Sequence, residues 1–96
     1  MAAADDPTPR AVLTAKAFER DLKHLRNRGV DLEPPWVVVE TLRLGHHLEA
    51  RRRDHALTGD WKGFRDCHIQ ADWVMIYSVD DEAVYLTRTG THSDLF

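Results

Sequence analysis

Trp73-Val-Met-Ile-Tyr-Ser-Val79, Asp80-Asp81-Glu82 and Ala83-Val-Tyr-Leu-Thr-Arg-Thr89 form the stretch that decides the fold. Both outer segments are rich in β-branched and aromatic residues, which suit a pleated, half-buried surface, and the three acids between them read as a turn. Two strands joined so tightly must run antiparallel. Just upstream, residues from about Lys62 to Ile69 form another candidate strand, so the last third of the chain reads as an antiparallel meander. Gly90 is expected to break the final strand, leaving Thr91 to Phe96 to close the chain. Cys67 falls in the first of these strands. As the only cysteine it excludes an internal disulfide and a cysteine-based zinc cluster, and it reads as a small apolar filler.

Working back from the meander, the pattern changes period. Phe18, Leu22 and Leu25 recur at spacings of four and three, one face of a helix. Thr14 is placed to cap that helix by accepting a backbone N–H, and Gly29 to end it in a left-handed conformation. Before it, Arg10 to Thr14 read as a short opening strand. A second helix is expected to start near Pro34 and Pro35, where proline's missing N–H costs nothing, and to stop at Gly45. Its buried stripe would be Trp36, Val39 and Leu42, or Val38 and Leu42. Val37-Val38-Val39 would suit a strand on propensity alone; the flanking Pro and Gly decide for helix. His46 to Trp61 is polar and aperiodic and reads as a long surface loop. Residues 1–9 read as a disordered acidic tail ahead of one domain, 10–96. The expected class is α+β, with a short N-terminal strand, two helices and an antiparallel meander whose one face the helices cover.

Ninety-six residues leave room for one domain. With 43% hydrophobic and 30% charged residues the composition is that of an ordinary globular protein. No run approaches the ~18 apolar residues of a membrane helix, and no signal peptide is visible, so no membrane association and a cytoplasmic location are expected. The formal charge of −3 is unfavourable for a nucleic-acid partner, because phosphate binding rests on Lys and Arg. The distribution is less so: Arg43, Arg51, Arg52, Arg53, Lys62 and Arg65 face only Glu49, Asp54 and Asp60 in the same stretch. A local basic patch and a merely solvated loop both fit that run.

Three histidines, His55, His68 and His92, flank the meander, together with Asp72 at the start of its central strand and Arg88 late in the last. Imidazole gives or takes a proton near neutrality, and arginine's planar fork binds phosphate through two parallel bonds. Histidines, one carboxylate and one arginine are the inventory for cleaving RNA without a metal. A base takes the 2′-OH proton, that oxygen attacks phosphorus, an acid protonates the leaving 5′-oxygen, and a cation stabilises the phosphate. Each residue also has a structural reading: His55 and His68 as solvated surface, His92 in a turn, Arg88 paired with Asp72, Trp61 and Trp73 as packing. His46-His47 lacks the companion ligands of a metal site. No metal and no cofactor are expected.

The segment Asp54-His-Ala-Leu-Thr-Gly-Asp-Trp-Lys-Gly-Phe-Arg-Asp-Cys-His68 closely resembles the YafQ-type branch of the RelE toxins. The resemblance continues through Asp72-Trp-Val-Met-Ile-Tyr77 and Arg88-Thr-Gly-Thr-His-Ser-Asp-Leu-Phe96; the N-terminal half matches in outline. It implies a RelE-like fold and ribosome-dependent cleavage of mRNA in the A site of the 70S ribosome. It also implies inhibition by a cognate DinJ- or RelB-like antitoxin, with promoter DNA bound only through the antitoxin complex. The family's active site carries over onto His55, His68, Asp72, Arg88, His92 and Phe96, with Trp73 beside them. In the chemistry above, His92 is the expected acid and Asp72 or His68 the base. Arg88 holds the phosphate, His55 orients the substrate, Phe96 stacks on a base, and Lys62 and Arg65 contact RNA from the basic stretch. The same scaffold serves ParE-type gyrase inhibitors, so a gyrase-inhibiting toxin and a non-catalytic, antitoxin-binding co-repressor subunit are the competing readings.

Overall fold

The computed structural model of the chain describes residues 9–96, so the tail expected at 1–9 lies outside the described residues except for Pro9. Strand β1, Ala11–Thr14, leads into helix α1, Lys16–Asn27, and helix α2, Glu33–Arg43. Strands β2, His55–Ala56, β3, Arg65–Gln70, β4, Trp73–Val79, and β5, Ala83–Thr91, follow, and a short helix α3, His92–Leu95, comes last. They build one five-stranded sheet in the order β1-β5-β4-β3-β2. The expected α+β class and the β3–β4–β5 meander are present. β1 pairs with β5 in parallel, Ala11 opposite Ala83, which makes the sheet mixed.

Both helices end as their glycines predict. At Gly29, φ is +81°, the Val30 N–H reaches the Leu25 carbonyl and the Gly29 N–H the Arg26 carbonyl; Gly45, at +78°, does the same for α2 through His46 and Thr41. The expected Thr14 cap is absent: Ala15 holds the capping position, and the Thr14 hydroxyl donates to Glu19 Oε2 at 2.5 Å instead. Phe18 and Leu22 of α1 and Val38, Val39 and Leu42 of α2 pack against Cys67, Ile69, Trp73, Met75, Tyr77, Val84 and Leu86 of the sheet. Trp36 is turned outward, 38% exposed and edge-on to Phe18, so the α2 stripe runs through Val38, Val39 and Leu42. Cys67 is the expected filler, and burial pushes its thiol up to about 12.

Two expectations about loops change. The 46–61 stretch carries structure: 3-10 turns at Ala50–Arg52 and Gly59–Trp61, and the short strand β2 on the edge of β3. β5 also runs through Gly90 to Thr91 instead of breaking there. The second sheet face is covered too. Val74 and Ile76 of β4 meet Leu95 of α3 and the half-buried Leu57, Trp61 and Phe64. A Cβ at position 90 would meet Asp94 at 3.4 Å and Leu95 at 3.6 Å, ordinary van der Waals distances, so α3 lies directly over this residue.

Phe18 is fully buried between both helices and the sheet. Phe18→Ala is expected to cost about 3–5 kcal/mol, read as a lower denaturant midpoint with an unchanged slope. A loss below about 1 kcal/mol would mean that the helical layer does not hold the sheet as described.

Candidate active site

Side chains alternate across a strand, so β3 sends Cys67 and Ile69 to the helices and Asp66 and His68 to the other face. His68 lies opposite Val74, and Val74 opposite Gly90. α3 folds back over β4 and carries His92 towards His68; their ring centroids are 5.3 Å apart. Thr91 starts α3 with a capping box: its hydroxyl accepts the Asp94 N–H, and the Asp94 carboxylate accepts the Thr91 N–H.

Asp72, in the tight β3–β4 turn, faces His92. Its Oδ1 accepts Nδ1–H of the ring at 3.0 Å and the backbone N–H of His92 at 3.3 Å. These two donors, the ring first, hold the Asp72 carboxyl below its usual range. With Nδ1 committed, His92 turns Nε2 outward. An aspartate so engaged is a poor proton acceptor and a good support for an imidazolium. His55 stands on β2 opposite Asp66, on the same face. Its Nδ1 lies 2.7 Å from the Arg53 carbonyl. A carbonyl only accepts, so neutral His55 carries its proton on Nδ1 and leaves Nε2 free. Arg53 holds that carbonyl from a left-handed backbone, φ 49° and ψ 41°, a conformation uncommon for a residue with a side chain.

Phe96 is 56% exposed, 6.1 Å from the His92 ring and 6.4 Å from Trp61. Lys62 is exposed next to Trp61. The arginine run does reach the site: Arg51, Arg52 and Arg53 line a cavity of about 360 Å³ with His68 and Gln70. Arg52 is fixed there by donating to the Ile69 carbonyl at 2.6 Å, and Arg51 pairs with Glu49 at the surface.

Two expected site residues stand elsewhere, and a third, Arg88, lies on the face of His68 but is tied to α1. Trp73 is core: it packs with the helical cluster and donates its indole N–H to Thr89 Oγ1 at 2.8 Å. Arg65 has the opposite parity to His68 and points to the helix side. There Asp54 Oδ1 accepts both its Nε–H, at 3.1 Å, and the Tyr77 hydroxyl, at 2.6 Å. Arg88 does not pair with Asp72. A register shift between Ile76 and Tyr77 sets it opposite Ile76, and its guanidinium runs to Asp21 on α1, at 2.7 and 3.2 Å. Sequence reasoning missed Asp21, because nothing in the spacing of α1 marks it. It also missed Asp66, which is 2% exposed with an Oδ1 that finds no donor among the described residues. Groups of three or more His, Cys, Asp or Glu side chains arranged to hold a metal are likewise absent among the described residues.

The model of the YafQ family, a bacterial toxin of type II toxin–antitoxin systems, matches residues 10–96. The chain belongs to this toxin family. It is 35% identical over 80 residues to the mRNA interferase toxin YafQ of Escherichia coli K12, covering 82% of this chain and 87% of that one. A copper-bound mutant toxin from Helicobacter pylori superposes with a TM-score of 0.85 at 39% identity, covering 91% and 99% of the two chains. The toxin of the E. coli DinJ–YafQ toxin–antitoxin complex superposes with a TM-score of 0.83 at 34% identity, over 92% and 98%. The expected RelE-like α+β fold is that of this chain, with β1 completing a mixed sheet, and it superposes on these structures.

The Asp72–His92 contact has a pH signature. A carboxyl held below 3.8 keeps its stabilising contact at and above the ordinary value and loses it only as pH falls through the lower one. Carboxyl-carbon NMR should find Asp72 titrating below 3.8, and His92→Ala should move it back up. A midpoint at or above 3.8 in the wild type would dissolve the pair.

Proposed function

We propose that this chain is an mRNA interferase, the toxin half of a toxin–antitoxin pair, which cuts mRNA on the ribosome. The observation that carries the reading is the pairing of His68 with an Asp72-backed His92 on one open face. In the proposed reaction His68 takes the 2′-OH proton, the oxygen attacks the adjacent phosphorus, and protonated His92 gives its Nε2 proton to the departing 5′-oxygen. Asp72 holds the His92 tautomer and stabilises its cationic form. Arg88 binds the scissile phosphate, His55 orients the substrate through its free Nε2, and Phe96 offers a face for a base. Arg53, with Lys62, gives an acidic protein a basic rim where RNA phosphates pass.

The openness of the site supports ribosome dependence. His92, Asp72 and Phe96 are each about half exposed or more, whereas electrostatic stabilisation of a transition state is strongest where water is excluded. Ribosomal RNA and the bound message would supply the missing walls. As partners we propose the 70S ribosome with mRNA in its A site, a DinJ-like antitoxin, and promoter DNA through the antitoxin complex alone. No helix among the described residues is long and apolar enough to cross a membrane, which accords with action in the cytoplasm. The gyrase-inhibiting reading is not favoured: an acid–base pair of histidines serves no purpose in a gyrase binder, and the curated relatives are named as interferases.

Cleavage of a translating mRNA, mapped by primer extension with and without ribosomes, tests the proposal. Wild-type protein should give ribosome-dependent cuts, and His92→Ala should lose about 10²–10⁴-fold in rate while keeping its fold. Expression without antitoxin should arrest growth, and His92→Ala should relieve the arrest. Wild-type rates from His92→Ala would remove it from the mechanism; no cuts from folded wild type would overturn the interferase reading.

A further inference from the structure

Arg88 is tied to a residue outside the site described above. β1 covers the edge of β5 only from Ala83 to Leu86. Beyond it the edge of β5 would stay open, and α1 lies against it there. Asp21, half a helix from the strand it follows, fills this gap. Its Oδ2 accepts the Thr89 backbone N–H at 3.1 Å and the Arg88 Nε–H at 2.7 Å, and its Oδ1 accepts Arg88 Nη2 at 3.2 Å. The Asp21 side chain is only 13% exposed and that of Arg88 27%. The contact is a bidentate, partly desolvated pair, unlike the solvated ion pairs that contribute little. The carboxylate raises the arginine's affinity for its proton further, so Arg88 stays a cation throughout the accessible pH range.

A guanidinium has two edges that can each take an oxyanion through two N–H groups. Asp21 occupies the side-on edge, Nε with Nη2. The end-on edge, Nη1 with the second Nη2 hydrogen, has no acceptor among the described residues. A small cavity of about 250 Å³ lies next to Arg88, lined also by Asp21, His24, Gly90 and Asp94. The register shift at Ile76 is what lets Arg88 reach this edge: it sets Arg88 opposite Ile76, on the face His68 shares, whereas unbroken alternation after Leu86 would place it with the helices.

We propose that Asp21 is a positioning residue for RNA cleavage, gripping one edge of Arg88 so that the other is presented to the scissile phosphate. This rests on the reading of Arg88 as the phosphate-binding cation. A long, flexible side chain with no anchor would have to be ordered at the moment of reaction. The Asp21 anchor orders it in advance, as preorganised transition-state stabilisation requires. The anchor comes from α1, so the helical layer sets the site's geometry as well as covering the sheet.

The test is single-turnover cleavage on programmed ribosomes with full-length Asp21→Asn, Asp21→Glu and Arg88→Ala, beside His92→Ala. Asp21→Asn should slow the cleavage step about 10²-fold, the usual penalty for a small misplacement, with the half-saturating ribosome concentration nearly unchanged. Asp21→Glu should recover part of the loss. The Arg88 Nε–H resonance should exchange slowly in the wild type, and should move and exchange faster in Asp21→Asn. In an Arg88→Ala background Asp21→Asn should have no further effect on rate. Wild-type or higher rates from folded Asp21→Asn would overturn the proposal, and so would a full additional loss on top of Arg88→Ala, which marks a purely structural tie. If Asp21→Asn does not fold, Asp21→Glu and the Arg88 resonance decide, and Asp21→Glu with a displaced resonance and a wild-type rate overturns it. Full activity in Arg88→Ala beside an inactive His92→Ala would instead remove Arg88 from the site and leave the histidine chemistry standing.

Discussion

β4 is buried on both faces, and the rest of the molecule is arranged to satisfy that one strand. Met75 and Tyr77 face the two helices, while Val74 and Ile76 face away from them. A sheet covered on one side only would leave those last two side chains in water, losing roughly 1.5–3 kcal/mol for each. The chain covers them with what lies nearest, Leu57, Trp61 and Phe64 from the middle loop and Leu95 from α3. Each of these segments carries a proposed site residue near its apolar one: His55 before Leu57, Lys62 after Trp61, and His92 and Phe96 on either side of Leu95. The second small core is therefore also what draws the histidines together. Packing and chemistry share the same few residues.

That sharing explains which parts of the molecule were legible in the sequence. β4 and β5 were plain because an apolar, β-branched run bounded by acids has one economical solution, and the helices were plain because their periodicity and terminal glycines agree. The family motif located His55, His68, Asp72, His92 and Phe96. Their mutual geometry was not legible, since it depends on α3 turning back over Gly90, which reads locally as a strand breaker. Trp73 took its packing reading and Arg65 left the basic stretch for the helix side, because one residue along a strand moves a side chain to the other face. β2 has only two residues, too short for any pattern. Asp21 could be found only by asking what satisfies the Thr89 N–H at the edge of β5.

Charge follows the same division. The protein as a whole is acidic, yet the wall beside His68 is built from three consecutive arginines, one of them locked to the backbone of β3. At physiological ionic strength a field reaches about 8 Å before it is screened. What an approaching phosphate meets is therefore this local wall, and the net charge matters little at that range. The repulsion of the acidic remainder narrows the productive approaches to one face.

The parallel pairing of β1 with β5 joins residues some seventy positions apart, and the Asp21–Arg88 contact repeats that span. Neither can form on a growing chain until β5 has been synthesised. A fragment ending before β5 lacks the partner of β1 and Arg88 itself. Contacts of such long sequence separation also form slowly, after the local helices. In a member of a toxin family, the arginine proposed to bind phosphate thus belongs to the part of the fold with the longest-range contacts.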